Sequence, residues 1–304
     1  METTVPLAVQ THRLTRSNRR KGVRTAILYV VSTALALLFF FPYFYTLMSS
    51  LKGPWEMYNW PPTLFPSELR WSNYVQTVTM VPFGRWVYNT VVITGLATLG
   101  TVLTSSLVAY SFARFTYRFR DALFLVTLGT MMMPAQVTLI PRFIMFFKFG
   151  EWTGLQFLNT WRPLWVPAWF GGGAFAIFLI RQFIQTIPRD FDEAALIDGA
   201  SYLRIFTTIL MPLCKPVIAT LAIISGIGQW NSFIEPMIYL NESSKFPISV
   251  GLHYFRETAG GMTEEPKEHL LMCGSVLTTL PPIIVFFLFQ EYFVQGVVMS
   301  GIKG

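Results

Sequence analysis

Charge-free stretches set the pattern of this chain. Cutting it at every Asp, Glu, Lys, Arg and His leaves six intervals of at least 18 residues, 25–51, 86–113, 122–141, 163–180, 216–234 and 270–290, and the next longest, 71–84, has 14. A helix rises 1.5 Å per residue, so about 20 apolar residues cross the hydrocarbon core. The pattern predicts an all-α integral membrane protein with six transmembrane helices and both termini on one side. Between the fourth and fifth intervals the writing changes. Residues 193–212, EAALIDGASYLRIFTTILMP, are more polar and helix-forming, with a start signal, a stop signal and small residues.

That segment, taken as 188–212, reads as a docking element. Asp190 stands three residues before Glu193, the spacing at which an Asp oxygen accepts from the Glu193 amide while the Glu193 side chain reaches back. Ala194 and Ala195 offer a smooth surface that a partner can approach closely, and Gly199 is a natural left-handed terminator. Asp198 opposes the helix dipole, so it is either solvated or paired, with Arg204 or with a partner's cation. Pro188 precedes the helix, and Pro212 and Pro216 mark where the fifth span begins.

Composition agrees with the membrane reading. Hydrophobic residues make up 53% and charged residues 13% of the chain, and the mean hydropathy is +0.47. Soluble domains carry about 25% charged residues. Basic residues resist translocation. With the N-terminus inside, 14 Lys and Arg fall in inner segments and nine in outer ones, and the dense cluster Arg13, Arg16, Arg19, Arg20, Lys21 and Arg24 leads the inner set. This tally predicts N-in and C-in, with a basic cytoplasmic segment 1–24 disordered at its start and a six-helix transmembrane domain 25–304. It also accounts for most of the net charge of +7 without nucleic acid. No cleavable signal peptide is read, because the first span continues without a small-residue cleavage site.

Chemistry in the covalent sense is not legible. Cys214 and Cys273 fall at opposite membrane faces and are not expected to pair; His12, His253 and His269 lack metal-ligand spacing. No GxxxxGK[ST] loop occurs, so ATP chemistry belongs to another subunit. Pro134 and Pro141 in MMMPAQVTLIP are expected to kink or break the third span, and Gly171, Gly172 and Gly173 permit close helix approach. The Trp- and Pro-rich outer loop 52–85 suits the headgroup region. Gln229 and Asn231 are polar groups in an apolar helix and need partners, Trp230 offers a flat face for a sugar ring, and Glu235 lies near the outer end. These four are candidates for a substrate path or for joining helices. A secondary transporter is the competing class, but such proteins place ionisable residues at the midplane, and the six intervals hold no Asp, Glu, Lys or Arg.

The segment resembles a known family, the binding-protein-dependent ABC importer permeases, whose signature runs EAA, three residues, Gly, nine residues, Ile, one residue, Leu-Pro. Glu193-Ala194-Ala195, Gly199, Ile209 and Pro212 match it, and Met211 stands where the family has Leu. Four further stretches, MMMP, RQFIQTIPRDFDEAALIDGAS at 181–201, QWNSFIEP at 229–236 and FVQGVVMSGIKG at 293–304, resemble the carbohydrate branch, in particular the smaller permease of maltose-type importers. The resemblance covers most of 25–304. It implies a type I importer permease in the bacterial cytoplasmic (inner) membrane, itself non-catalytic. It further implies a second, different permease chain, two cytoplasmic ATPases that bind ATP and Mg, and an outer solute-binding protein delivering a carbohydrate; a non-sugar importer of the same class is the alternative. Asp190, Glu193, Ala194, Ala195, Asp198 and Gly199 would then couple to the ATPase, the tail 293–304 would contact the ATPase pair, and loop 241–269 would reach toward the binding protein.

Overall fold

The computed structural model describes the backbone of residues 7–259 and 266–301 and the side chains of 24–257 and 266–291. Regular structure among the described residues is helical throughout. The chain opens with α1 (Leu7–Ser50), α2 (Ser72–Met80) and the 32-residue α3 (Phe83–Arg114), followed by α4 (Arg120–Thr130) and α5 (Ala135–Thr153). Next come the short α6 (Arg162–Trp165), α7 (Ala174–Thr186), α8 (Asp190–Ile197), α9 (Tyr202–Ile205) and α10 (Met211–Leu213). The series ends with α11 (Lys215–Trp230), α12 (Ile234–Tyr239), α13 (Ile248–Ala259) and α14 (Glu268–Gly301).

Among the described residues four stretches are long and apolar enough to cross a membrane, and two more do so as sharply bent pairs, which gives up to six spans. The third expected span is broken. α4 and α5 meet at 99°, with Pro134 capping α5 and Met131–Met133 exposed at the corner. Pro141 does not break anything; it lies inside α5, which runs on to Thr153 through what had been expected as an outer loop. The fifth span bends by 77° between the segments Tyr202–Leu213 and Lys215–Trp230. A π-helical turn, Phe206–Leu210, precedes this bend beside Pro212, whose ring removes a helical donor.

α3 lies at the centre, packed on α7 and α11, while α14 covers α1, α2 and α11. Lipid tails are as apolar as leucine, so close backbone approach drives such packing. Ala97, Gly100, Thr101, Ser105 and Ala109 supply a small-residue face on α3. The non-helical turn at Gly171–Gly173 presses on it: all three glycines have positive φ, and a Cβ on Gly172 would lie 2.5 Å from the Thr101 carbonyl oxygen. They therefore permit close approach by leaving the helix, not within it.

The interior divides into two clusters. One, at the C-terminal end of α3, joins Tyr110, Phe112, Ile180, Ile184, Ile205 and Leu210. The other, at the N-terminal end, joins Trp86, Phe146, Tyr239, Phe246, Ile248 and Phe255. There Asn89 donates to the carbonyls of Ser244 and Phe246, both at 2.9 Å, and the Ile248 amide donates to Thr90 Oγ1 at 2.8 Å. Replacing Thr90 by Val is expected to leave that buried amide unpaired at a cost of about 1–3 kcal/mol. The unfolding midpoint in mild detergent should fall, whereas Thr90→Ser, which keeps the acceptor, should hold it.

Several sequence expectations need correction here. The basic N-terminal segment is helical from Leu7 onward, so the expectation of disorder at its start falls on residues outside those described. Loop 241–269 is built around α13, with Ile248, Val250 and Phe255 buried; Gly260, Gly261, Glu264 and Glu265 lie outside the described residues, and Glu268 opens α14. Of the tail 293–304, α14 takes in the residues up to Gly301, and 302–304 lie outside the described residues. Cys214 and Cys273, by contrast, are free and buried, as the expectation that they do not pair requires.

Candidate coupling segment and membrane path

After α7 ends, Ile187 turns the chain out in an extended conformation and Pro188 precedes the start of α8. Arg189, not Asp190, takes the cap position: its carbonyl accepts from the amides of Asp192 at 2.8 Å and Glu193 at 3.0 Å. The expected box between Asp190 and Glu193 is therefore not formed. Asp190, Asp192 and Glu193 occupy the first turn instead, where carboxylates complement the positive end of the helix dipole.

The stop signal forms as expected. Gly199 has φ +79°, its amide donates to Leu196 O at 3.0 Å, and the Ala200 amide donates to Ala195 O at 2.9 Å. This paired closure satisfies the last carbonyls of α8. Ser201 then caps α9 by accepting from the Arg204 amide at 3.3 Å. The two alanines divide: Ala194 is exposed, but Ala195 turns into the core and is not part of an outer surface. Asp198 is exposed and makes no ion pair among the described residues. Phe191, Ile197 and Leu203 are exposed on the same hairpin, and Ile197 is 86% exposed.

Asp192, which sequence reasoning passed over, is the half-buried acid of this segment. Its carboxylate lies 2.6 Å from Arg114 Nε at the end of α3. Burial pushes its carboxyl above the ordinary range, against the opposing pull of Arg114. Arg114 had been counted only as a basic residue flanking a span.

The four path candidates do not converge. Gln229 borders a cavity of about 10 Å³ with Thr90, Ile93, Thr94, Leu164, Ser232, Pro236 and Pro247. Trp230 is buried, with its indole N–H donating to Thr278 O at 3.2 Å, so its ring is not open to a sugar. Asn231 is exposed and donates to the Ile227 carbonyl of its own helix at 3.0 Å. Glu235 pairs with Arg142 at 2.5 Å, tying α12 to α5, a partner that no local pattern could disclose.

The described residues thus form an all-helical fold of up to six candidate membrane spans, two of them bent, with a short capped hairpin between the fourth and the fifth. The family model of the binding-protein-dependent transport system inner membrane component matches residues 101–299, and the chain belongs to that family. The arabinooligosaccharides transport system permease protein AraQ of Halalkalibacterium halodurans is 30% identical over 273 residues, 89% of this chain and 93% of the relative. The trehalose/maltose transport system permease protein MalG of Thermococcus litoralis is 28% identical over 288 residues, covering 94% of this chain and 99% of the relative. Among solved structures, a chain of a bacterial ABC transporter involved in the import of the acidic polysaccharide alginate superposes with a TM-score of 0.76 at 25% identity, over 91% of this chain and 98% of that one. The chain is thus an inner-membrane permease subunit of a binding-protein-dependent importer.

Proposed function

We propose that this permease imports a carbohydrate, an oligosaccharide above all, and that α8 is where a cytoplasmic ATPase grips it. The observation that carries the coupling reading is the α8–α9 hairpin: a capped two-turn helix, closed by Gly199, that precedes the bent fifth span and leaves Ile197 exposed. Apolar side chains on a polar surface hairpin cost solvation unless a partner covers them. Glu193, Ala194, Ile197 and Gly199 would enter the ATPase cleft, Asp190 and Asp198 would lie at its rim, and Ala195 would support them from behind. ATP and Mg act in the ATPase; this chain contributes no catalytic group. The proposed topology is N-in and C-in, in a pair with a second, different permease. The sugar assignment is supported by relatives named for arabinooligosaccharides and for trehalose and maltose. Of the path candidates, Gln229, Asn231 and Glu235 are retained as separate positions; Trp230, which is buried, is withdrawn.

The test is purification of the tagged chain from its native membrane in mild detergent. An ATPase, a second permease and an outer binding protein are expected to accompany it. Glu193→Ala and Gly199→Asp should release the ATPase or uncouple its hydrolysis from the binding protein. Recovery of the chain alone, with both variants behaving as wild type, would count decisively against ATP-driven import.

A further inference from the structure

We infer that Arg114 and Asp192 are a positioning pair that ties ATPase-driven movement of α8 to α3, a role that rests on the docking reading above. Arg114 is the last residue of α3, and its side chain is 7% exposed. Its guanidinium reaches two places at once. Nε lies 2.6 Å from Asp192 Oδ2 in the first turn of α8, and Nη2 donates to Ile187 O at 2.9 Å, where α7 ends. A planar fork with several donors is suited to such a three-way joint, and a lysine is not.

The other arm of the hairpin is held by the same end of α3. Tyr110, one turn earlier, donates to Tyr202 O at 3.3 Å, and its ring lies 5.2 Å from Phe206. Phe115, just after α3, sets its ring edge-on to Tyr202 at 5.1 Å. Both arms are therefore gripped from inside while Ile197 and Leu203 face outward. From this joint α3 runs 32 residues to the opposite end, where Trp86 donates to Ser243 O at 2.9 Å. At 1.5 Å per residue that is a rod of about 48 Å. A buried ion pair is a poor source of stability, because desolvation offsets its attraction; fixing one geometry is its better-attested use. Here the geometry fixed is the angle between the docking helix and the central helix.

The experiment uses the assembled transporter with its ATPase. A bimane fluorophore on Tyr88→Cys, an exposed position near the far end of α3, reports movement there; Cys214 and Cys273 are buried and leave the label specific. Ala194→Cys is cross-linked to the ATPase in parallel. With ADP and vanadate trapping the ATPase, the unsubstituted pair should show an emission shift at Tyr88→Cys. Arg114→Met should lose the shift while the Ala194→Cys cross-link persists, and Arg114→Lys, which keeps the charge without the fork, should restore part of it. A full shift in Arg114→Met, or a silent reporter in the unsubstituted complex, overturns the positioning role. No cross-link in the unsubstituted complex overturns the docking reading, and the pair's role falls with it. Should Arg114→Met fail to assemble, Arg114→Gln is read by the same criterion.

Discussion

Gly172→Ala is expected to remove most of the folded protein. Two costs fall on that position together. Its φ of +67° is one that L side chains rarely adopt, which costs roughly 1–2 kcal/mol for a residue with a Cβ. The new Cβ would also sit 2.5 Å from the Thr101 carbonyl oxygen and 3.0 Å from Ser105 Cβ. The nearest of these is backbone in the middle of α3 and has no rotamer by which to escape. Overpacking of this kind costs about 1–3 kcal/mol or more. The sum is a large part of the roughly 5–15 kcal/mol that holds a typical protein folded. Gly171→Ala separates the two costs, since Gly171 has φ +97° and nothing within 4 Å of its Cβ position. Yield of monodisperse protein and unfolding midpoint should rank wild type above Gly171→Ala, and Gly171→Ala above Gly172→Ala. Equal behaviour of the two variants would mean that the approach of this turn to α3 is not close.

Ile197→Asp should leave the permease folded and disable its docking. The side chain is 86% exposed, so the isolated chain loses almost no packing. In the complex, an apolar anchor in a desolvated cleft is worth about 2 kcal/mol or more, roughly thirtyfold in affinity. A carboxylate there adds the penalty of an unpaired buried charge. Titration of the ATPase against the permease pair in lipid discs measures the loss, and an unchanged melting curve for the permease alone assigns it to the interface. Undiminished affinity would take the apolar end of α8 out of the contact.

What could be read from the sequence was what local periodicity and turn chemistry carry. The six charge-free intervals locate the membrane segments because charge exclusion acts residue by residue. Gly199 was legible because a left-handed stop has a strong residue preference. Asp190 misled because the capping rule fixes a spacing of three but not which residue leaves the helix; here the chain turns one residue earlier, at Arg189. Ala195 and Trp230 misled for a different reason. A helix shows which residues share a face, not which neighbour the face meets, and both side chains face inward against other parts of the fold. The pairs Arg114–Asp192 and Arg142–Glu235 join distant parts of the chain, so no window of sequence contains either.

The first and last long helices close on each other. The Cys273 thiol donates to the Ser50 carbonyl at 3.1 Å across a separation of 223 residues, and Thr77 meets the Leu270 carbonyl at 3.3 Å across 193. A ribosome adding roughly 5–20 residues per second needs about 10–45 s to make the intervening chain. Through that interval α1 stands in the bilayer without the helix whose Cys273 meets its last residue, Ser50, and α2 without the Leu270 carbonyl that Thr77 meets. Biogenesis of this permease therefore has a built-in wait, during which the insertion machinery has to shelter an unfinished surface.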